Sequence, residues 1–164
     1  MTQIYLKQEH HIYRDSLRKF LEKEAVPYID EWEANKEIPR SFWKKLGKEG
    51  FLCPQVEEGF AVVSSEEFDR VNVGLIGIGL HNDISMPYIE SYANEAQKER
   101  WLPGAVSGDI ISAIAMTEPN TGSDLANIQT TAILDGDDYV LNGEKTFITN
   151  GHIADIVIVV ANTD

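Results

Sequence analysis

The stretch MTEPNTGSD, Met116 to Asp124, is the part of this sequence whose residue types raise the first question of chemistry. It holds two acids and three hydroxyl groups in nine residues, but no histidine, lysine or thiol. Covalent catalysis needs a nucleophile that is activated by a neighbouring base. Ser123 stands in TGSD rather than in a G-x-S-x-G turn, and no base lies close to it in the sequence. We therefore do not predict a catalytic serine here.

The residues alone leave two interpretations of this stretch open. In the first, it is a ligand-binding loop. Pro119 would hold Glu118 extended and end the preceding strand, and Gly122 would permit a close backbone approach. Thr117 and Ser123 would then form a neutral rim of donors, which suits anionic or carbonyl oxygens. In the second interpretation, the stretch is a structural turn that is closed by its own Asp and Ser side chains.

Two other kinds of site are excluded by spacing. The glycines of GLIGIGLHND (Gly74 to Asp83) follow a helical stretch in the order G-x-x-G-x-G, which is not a dinucleotide-binding loop. The four histidines and Cys53 lack the spacing of zinc ligands, so we predict no metal site. We expect His10 and His11 to lie on a solvated helix face, and His81 to be a capping or turn residue.

The charge distribution limits the possible partners. The net charge is −13, and residues 51–164 hold 4 basic against 18 acidic side chains. A chain this acidic is a poor nucleic-acid binder. A phosphate-bearing ligand near the second half would have to be held by backbone N–H groups, hydroxyls or another polypeptide segment.

The sequence carries no sign of membrane insertion or of export. Apolar runs fall short of the ~20 residues that span a bilayer, and the first residues lack the layout of a signal or transit peptide. Cys53 is the sole cysteine, which fits a reducing compartment. We expect a cytoplasmic location, or the mitochondrial matrix for a processed eukaryotic chain.

Apolar spacing predicts helices over the first hundred residues. We expect one helix up to Pro27, a short one over YIDEWEANK, and one over SFWKKLGKEG that stops at Gly50. Two further helices are predicted to begin with capping boxes. The first box is Ser64 with Glu67, opening SSEEFDRVNVGLIG, and the second is Asn94 with Gln97, opening a helix that ends at Pro103-Gly104.

Short segments rich in β-branched residues follow from about residue 109, namely IISAIAM, QTTAIL, YVLN, KTFIT and DIVIVVA. They are separated by DGDD and two Asn-Gly pairs, which are hairpin signals. Helices followed by antiparallel strands indicate an α+β fold, with an all-α N-terminal domain and an incomplete antiparallel β-domain. Because the last strand lies so near Asp164, we expect either a fragment or a partner that completes the sheet.

Two motifs together carry a resemblance to a known family. AMTEPNTGSD (Ala115 to Asp124) and GEKTFITNG (Gly143 to Gly151) resemble the acyl-CoA dehydrogenases, as do FWKKLGKEGFL, GLHNDI and KERWLPG. The resemblance implies an N-terminal helical domain over residues 1–109 and the first strands of the middle β-domain over 110–164. The family's C-terminal helical bundle is absent from this sequence.

The resemblance also implies a chemistry. Members of the family use FAD to dehydrogenate the α,β bond of fatty acyl-CoA thioesters, pass the electrons to an electron-transfer flavoprotein and assemble as homotetramers. Their catalytic base would come from beyond Asp164, so we assign no catalytic residue here, and the place of Glu118 in the motif is structural. The residues implied to bind the flavin are Ile114, Met116, Thr117, Gly122, Ser123, Phe147, Ile148 and Thr149. Ser123 and Gly79 are implied to contact the acyl-CoA.

The sequence departs from the family pattern in a few places. Thr121 and Asn127 stand where smaller residues are usual, Phe147 replaces a common tryptophan, and the loop before Ser64 is short. Two other enzymes on the same scaffold are alternatives: a flavin oxidase, and a dehydrogenase of carrier-protein thioesters. A non-catalytic binding or folding fragment is an alternative of a different class.

Overall fold

The computed structural model describes residues 6–54, 58–71 and 77–163, and its chain divides into two compact units. The first unit runs to Ile110 and the second begins at Ile111. Helices make up the first unit and short strands with loops the second, so the predicted α+β class is confirmed. Within the described residues, no helix combines the length and the apolar character that a membrane crossing requires.

The described residues of the first unit form six α-helices. A short 3₁₀ turn, Val26–Tyr28, links the first two of them, and a π-helical segment, Leu80–Ser85, leads into the fifth. The α-helices are α1 Gln8–Glu24, α2 Ile29–Asn35, α3 Arg40–Lys48, α4 Glu58–Arg70, α5 Met86–Tyr92 and α6 Glu95–Ser107.

The core of the first unit is apolar and aromatic, as the amphipathic spacing predicted. Leu17 and Leu21 of α1 and Trp43 and Leu46 of α3 have no exposed surface. Aromatic rings pack across the elements, with the ring of Trp32 tilted against that of Phe42 at a centroid distance of 4.8 Å. Burial of such side chains stabilises each by about 1.5–3 kcal/mol relative to exposure.

The start of α6 is confirmed, but its predicted end is wrong. The Asn94 side chain accepts from the Gln97 amide at 2.9 Å, and the Gln97 side chain accepts from the Asn94 amide at the same distance. The helix continues through Pro103 and ends at Gly108, which has a φ of 78°. Pro103 thus lies inside the helix, and Ala105, two residues beyond it, is completely buried.

The capping box predicted at Ser64 and Glu67 is also wrong. Helix α4 begins at Glu58, so both residues lie inside it. Their side chains turn towards α1 instead: the Ser64 hydroxyl lies 2.8 Å from that of Tyr13, and Glu67 pairs with Arg18. The predicted continuation of this helix over residues 72–76, and the loop at 55–57, lie outside the described residues.

Two histidine predictions are corrected as well. His10 is buried rather than solvated, because its Nδ1 accepts from the Lys7 amide at 2.9 Å and its ring packs on Phe60. His81 is no turn residue: it is completely buried in the π-helical segment, with Nε2 3.2 Å from the Ala105 carbonyl. Burial lowers the pKa of His81, so the neutral ring donates to that carbonyl.

The second unit contains four short strands. Strand β1 (Ser112–Ala115) pairs with β4 (Ile156–Val159), and β2 (Thr131–Asp135) pairs with β3 (Asp138–Asn142). The β2–β3 ladder is antiparallel and turns at DGDD, as predicted. The β1–β4 ladder is parallel, with Ser112 opposite Ile156. This direction differs from the antiparallel order expected, because the long crossover between β1 and β4 contains the whole hairpin.

The segment KTFIT does not form the predicted strand. Phe147 and Asn150 have φ angles of 56° and 63°, which an extended strand excludes. The Thr146 amide donates to the Thr117 carbonyl at 2.9 Å, outside the strand ladders. Asn142-Gly143 ends β3, and Asn150-Gly151 lies in a turn before β4, so neither pair makes a hairpin.

Candidate functional site

Glu118 is the centre of the hydrogen-bonding network in the second unit. Its side chain is only 6% exposed. Oε1 accepts from the Thr130 amide at 2.8 Å and the Thr130 hydroxyl at 2.5 Å, while Oε2 accepts from the Gln129 amide at 2.7 Å. These contacts tie the TEPN turn to the chain just before β2, so the carboxylate of Glu118 holds this turn in place.

Lys145 supplies the positive charge that the buried carboxylate requires. Its Nζ donates to Glu118 Oε1 and to the Met116 carbonyl, each at 2.9 Å. The Thr130 hydroxyl, the Gln129 amide and Lys145 together lower the pKa of Glu118 to about 2. Glu118 is therefore fully ionised at neutral pH, and such a weak base is unsuited to removing a proton from carbon.

The two motifs that carry the resemblance are joined directly. Lys145 binds the Met116 carbonyl, and the next amide, that of Thr146, donates to the Thr117 carbonyl at 2.9 Å. Phe147 follows in the left-handed region with 93% of its side chain exposed. A bulky residue in that conformation is strained, so the backbone presents this ring to solvent at a cost that the surrounding contacts must offset.

The far end of the same loop is held at Asn150. Its side-chain amide donates to the Ser112 carbonyl of β1 at 3.1 Å. Asparagine tolerates the left-handed conformation that Asn150 adopts. The Phe147–Thr149 loop, residues 147–149, is thus fixed to the strand frame on both sides.

The MTEPNTGSD stretch divides into a structural half and an open half. Glu118 and Thr121 exchange backbone hydrogen bonds of 2.8 and 3.1 Å, and the Thr121 hydroxyl donates to the Asn127 carbonyl at 3.3 Å. Beyond Thr121 the chain is exposed, and a Cβ on Gly122 would meet no heavy atom within 4 Å. The first half is a structural turn, but backbone groups and the Thr121 hydroxyl close it rather than the Asp and Ser side chains that the second interpretation named. The second half leaves open space beside Gly122.

The structure places eight of the nine candidate binding residues in the second unit. Ile114 is buried in β1, and Met116, Thr117 and Ile148 are half-buried. The exposed members are Gly122, Ser123, Phe147 and Thr149. Hydrogen bonds bring Met116 and Thr117 to the beginning of the Phe147–Thr149 loop, while Gly122 and Ser123 belong to the exposed loop beyond Thr121.

Gly79, the ninth candidate, belongs to the first unit. It is exposed in the helical turn that leads into the π-helical segment, and a Cβ there would lie 3.8 Å from Asp83 Oδ2. A π-helical segment is rare and often accompanies functional sites. Here two of its buried side chains bind backbone groups: the His81 ring bonds to the Ala105 carbonyl, and the Asn82 side chain accepts from the Cys53 amide at 2.8 Å.

Sequence reasoning missed the three residues that bind the Glu118 carboxylate, which are Lys145, Thr130 and Gln129. A signal for Lys145 existed, because it is the only lysine or arginine after Arg100. A single basic residue among many acids is a strong candidate for a buried ion pair. Thr130 and Gln129 gave no comparable signal, because their amides act through backbone geometry. Among the described residues, no group of three or more His, Cys, Asp or Glu side chains could hold a metal ion.

Comparison with known proteins identifies the family. A sequence model described as acyl-CoA dehydrogenase, N-terminal domain, matches residues 7–109, and one described as acyl-CoA dehydrogenase, middle domain, matches residues 113–164. The chain belongs to the acyl-CoA dehydrogenase family. FAD-dependent dehydrogenation is the general function of this family.

Individual relatives agree with the family match. The mitochondrial long-chain specific acyl-CoA dehydrogenase of Rattus norvegicus is 44% identical over 165 residues, which cover 95% of this chain and 38% of the relative. The crystal structure of an acyl-CoA dehydrogenase from Geobacillus kaustophilus superposes with a TM-score of 0.93 at 56% identity, covering 98% of this chain and 45% of that one.

A glutaryl-CoA dehydrogenase from Mycobacterium smegmatis, solved in complex with FADH2, is also similar. It shares 29% identity and a TM-score of 0.86, over 97% of this chain and 44% of its own. The chain therefore spans less than half the length of these relatives.

Proposed function

We propose that this chain provides the flavin-binding and thioester-binding elements of an acyl-CoA dehydrogenase. The observation that carries the proposal is the junction of the two motifs, in which Lys145 and Thr146 bind the carbonyls of Met116 and Thr117. This junction fixes an exposed aromatic ring beside a polar turn. The FADH2 complex of a similar chain supports FAD as the cofactor.

The residues present suit a flavin. An isoalloxazine ring needs an apolar or aromatic surface, and Phe147 offers an aromatic side chain that is 93% exposed. A pyrophosphate needs donors, and the exposed Gly122-Ser123 segment offers backbone amides and a hydroxyl without a steric barrier at Gly122. Bound FAD supplies the acceptor for the hydride that leaves the β-carbon.

Each candidate residue then has a definite role. Phe147 and Ile148 would pack against the ring system, and Thr149 would reach its reactive nitrogen. Gly122 and Ser123 bind the pyrophosphate, and Ser123 also contacts the acyl-CoA. Ile114, Met116 and Thr117 line the same ring from the end of β1, while Gly79 leaves room for the acyl chain.

The base that removes the α-proton is proposed to lie in sequence beyond Asp164. Glu118 is the buried acid of the motif, but its oxygens accept four hydrogen bonds and its pKa is about 2. We also propose the partners expected from the family: acyl-CoA as substrate, an electron-transfer flavoprotein as acceptor, and a homotetramer as the assembly. A reducing compartment, cytoplasm or matrix, suits the free thiol of Cys53.

The test is to express the complete gene that encodes this chain and to add saturated acyl-CoAs of several chain lengths without oxygen. The proposal predicts a yellow protein whose flavin absorbance bleaches with at least one acyl-CoA. Turnover with an artificial electron acceptor should follow. A flavin that no acyl-CoA of any length bleaches would overturn the dehydrogenase assignment.

The same preparation separates the alternatives. A flavin oxidase would reoxidise rapidly in air and produce hydrogen peroxide, and a carrier-protein dehydrogenase would bleach only with thioesters of the carrier. The 164-residue chain alone is expected to show negligible turnover and weak or absent FAD binding. Turnover by this chain alone would contradict our placement of the base.

A further inference from the structure

The Phe147–Thr149 loop is fixed at its beginning by a very small number of contacts. Lys145 Nζ donates to the Met116 carbonyl and to Glu118 Oε1, both at 2.9 Å, and the Thr146 amide donates to the Thr117 carbonyl at 2.9 Å. The Lys145 side chain is only 11% exposed, although lysine normally extends into water. A flexible charged side chain is rarely buried to this extent unless its charge is paired, so the bonds that Lys145 makes must offset the cost of its burial.

We infer that Lys145 is a positioning residue, whose ammonium group holds the Phe147–Thr149 loop in the conformation that receives the flavin. The ammonium reaches both the carbonyl of the first motif and the carboxylate at its centre, so it connects the two motifs with a single side chain. The inference depends on the proposed function only in naming the flavin as the group that this loop binds.

The geometry separates this role from general structural support. Without Lys145, the Glu118 carboxylate still accepts from the Gln129 amide, the Thr130 amide and the Thr130 hydroxyl. The turn around Glu118 therefore retains three of its four donors. The chain at Thr146 retains its bond to the Thr117 carbonyl but loses the charge-assisted bonds beside it, which are the stronger kind.

The strain at Phe147 makes the loop sensitive to this loss. A left-handed φ of 56° is strained for a bulky residue and persists only when surrounding contacts hold it. Asn150 still holds the far end through the Ser112 carbonyl. Removal of Lys145 should therefore release the loop at one end while β1 and the Glu118 turn stay in place.

The experiment compares Lys145→Met with Lys145→Arg in the ¹⁵N-labelled 164-residue chain. Arginine keeps the charge and can donate to both acceptors, whereas methionine keeps only the length of the side chain. The readout is amide hydrogen exchange at Thr146, at Gln129 and Thr130, and in β1. Fast backbone motion at Phe147, Ile148 and Thr149 is measured by ¹⁵N relaxation on the same samples.

We expect Lys145→Met to accelerate exchange at Thr146 by about tenfold or more, with increased motion at residues 147–149. Gln129, Thr130 and β1 should change by less than about threefold, and Lys145→Arg should restore Thr146 to within about threefold of the original chain. Unchanged exchange at Thr146 overturns the inference. So does acceleration at every site together, since that is the result of a merely structural role.

If Lys145→Met does not fold, Lys145→Gln replaces it, because glutamine keeps one donor for one of the two acceptors. The same localised loss at Thr146 supports the inference, and a uniform or absent change overturns it. None of these measurements needs FAD or acyl-CoA. A negative exchange result therefore overturns only the role of Lys145 and not the proposed function. A protein that contains no flavin counts against the proposed function and not against the role of Lys145.

Discussion

Each unit of the chain contains a buried glutamate, and the two are used in different ways. Glu67 of the helical unit is 1% exposed and Glu118 of the β unit is 6% exposed. Glu67 accepts from the guanidinium groups of Arg18 and Arg70 at 2.6–2.9 Å, so its partners are side chains. Glu118 accepts from two backbone amides as well as from Lys145 and Thr130.

This difference follows from what holds each unit together. In the helical unit the backbone satisfies its own hydrogen bonds, and apolar side chains fill the core, so Glu67 adds a connection between α1 and α4. In the second unit much of the backbone lies in turns. There the Glu118 carboxylate accepts the hydrogen bonds that a neighbouring strand would otherwise accept from the Gln129 and Thr130 amides. A buried carboxylate therefore stabilises the backbone most where regular secondary structure ends. Ligand-binding residues are concentrated in such loops.

The largest effect that tests this contrast concerns a pair of leucines. Leu17 of α1 has no exposed surface, whereas Leu134 of the β2–β3 hairpin is 60% exposed. Leu17→Ala should destabilise the helical unit by about 2–5 kcal/mol, and Leu134→Ala should change the free energy of unfolding by less than about 0.5 kcal/mol. Urea unfolding followed by circular dichroism measures both. Equal losses would contradict the contrast in packing.

A smaller effect is expected from a pair of glycines in the second unit. A Cβ on Gly143 would lie 2.4 Å from the Thr130 hydroxyl that donates to Glu118, whereas one on Gly122 would meet nothing within 4 Å. Gly143→Ala should cost about 1–3 kcal/mol through overpacking, and Gly122→Ala should be nearly neutral. Hydrogen exchange at the Thr130 amide reports the difference. The contrast fails if Gly122→Ala disturbs this amide as much as Gly143→Ala does.

The two predicted capping boxes show how far the sequence could predict the structure. The helices followed from local apolar spacing, and the Asn94–Gln97 cap from a motif of four residues. Ser64 and Glu67 have the same pattern but bind α1 instead, which no local motif reveals. The spacing of the two polar residues is the same in both cases, and tertiary packing decides between them.

The site was predictable only in part for the same reason. The motif predicted a structural place for Glu118 but not its partner Lys145, which lies 27 residues away along the chain. Phe147 and Asn150 are left-handed in a loop that is held by bonds of Thr146 to the Thr117 carbonyl and of Asn150 to the Ser112 carbonyl. These distant contacts are not visible in the β-branched pattern, which is why the strand assignment of KTFIT was wrong. The parallel β1–β4 ladder likewise depends on a crossover that hairpin signals conceal.

A subtler effect concerns pH. The pKa of Glu118 is lowered from 4.5 to about 2, so its ionised form contributes stability above pH 4.5 that is lost as the pH falls to about 2. Glu118→Gln removes this contribution. The opening free energy of the Gln129 and Thr130 amides, from hydrogen exchange, should therefore depend less steeply on pH between 4.5 and 2 in the variant. An unchanged slope would show that these amides do not depend on the carboxylate.

The most direct test of the central claim compares the two glutamates in FAD binding. In the product of the complete gene, Glu118→Gln should raise the dissociation constant of FAD by about tenfold or more, because it loosens the junction that preorganises the loop. Glu67→Gln should leave it within about twofold, even where it lowers the stability of the helical unit. Equal effects of the two variants on FAD binding, or a larger effect of Glu67→Gln, would contradict the account.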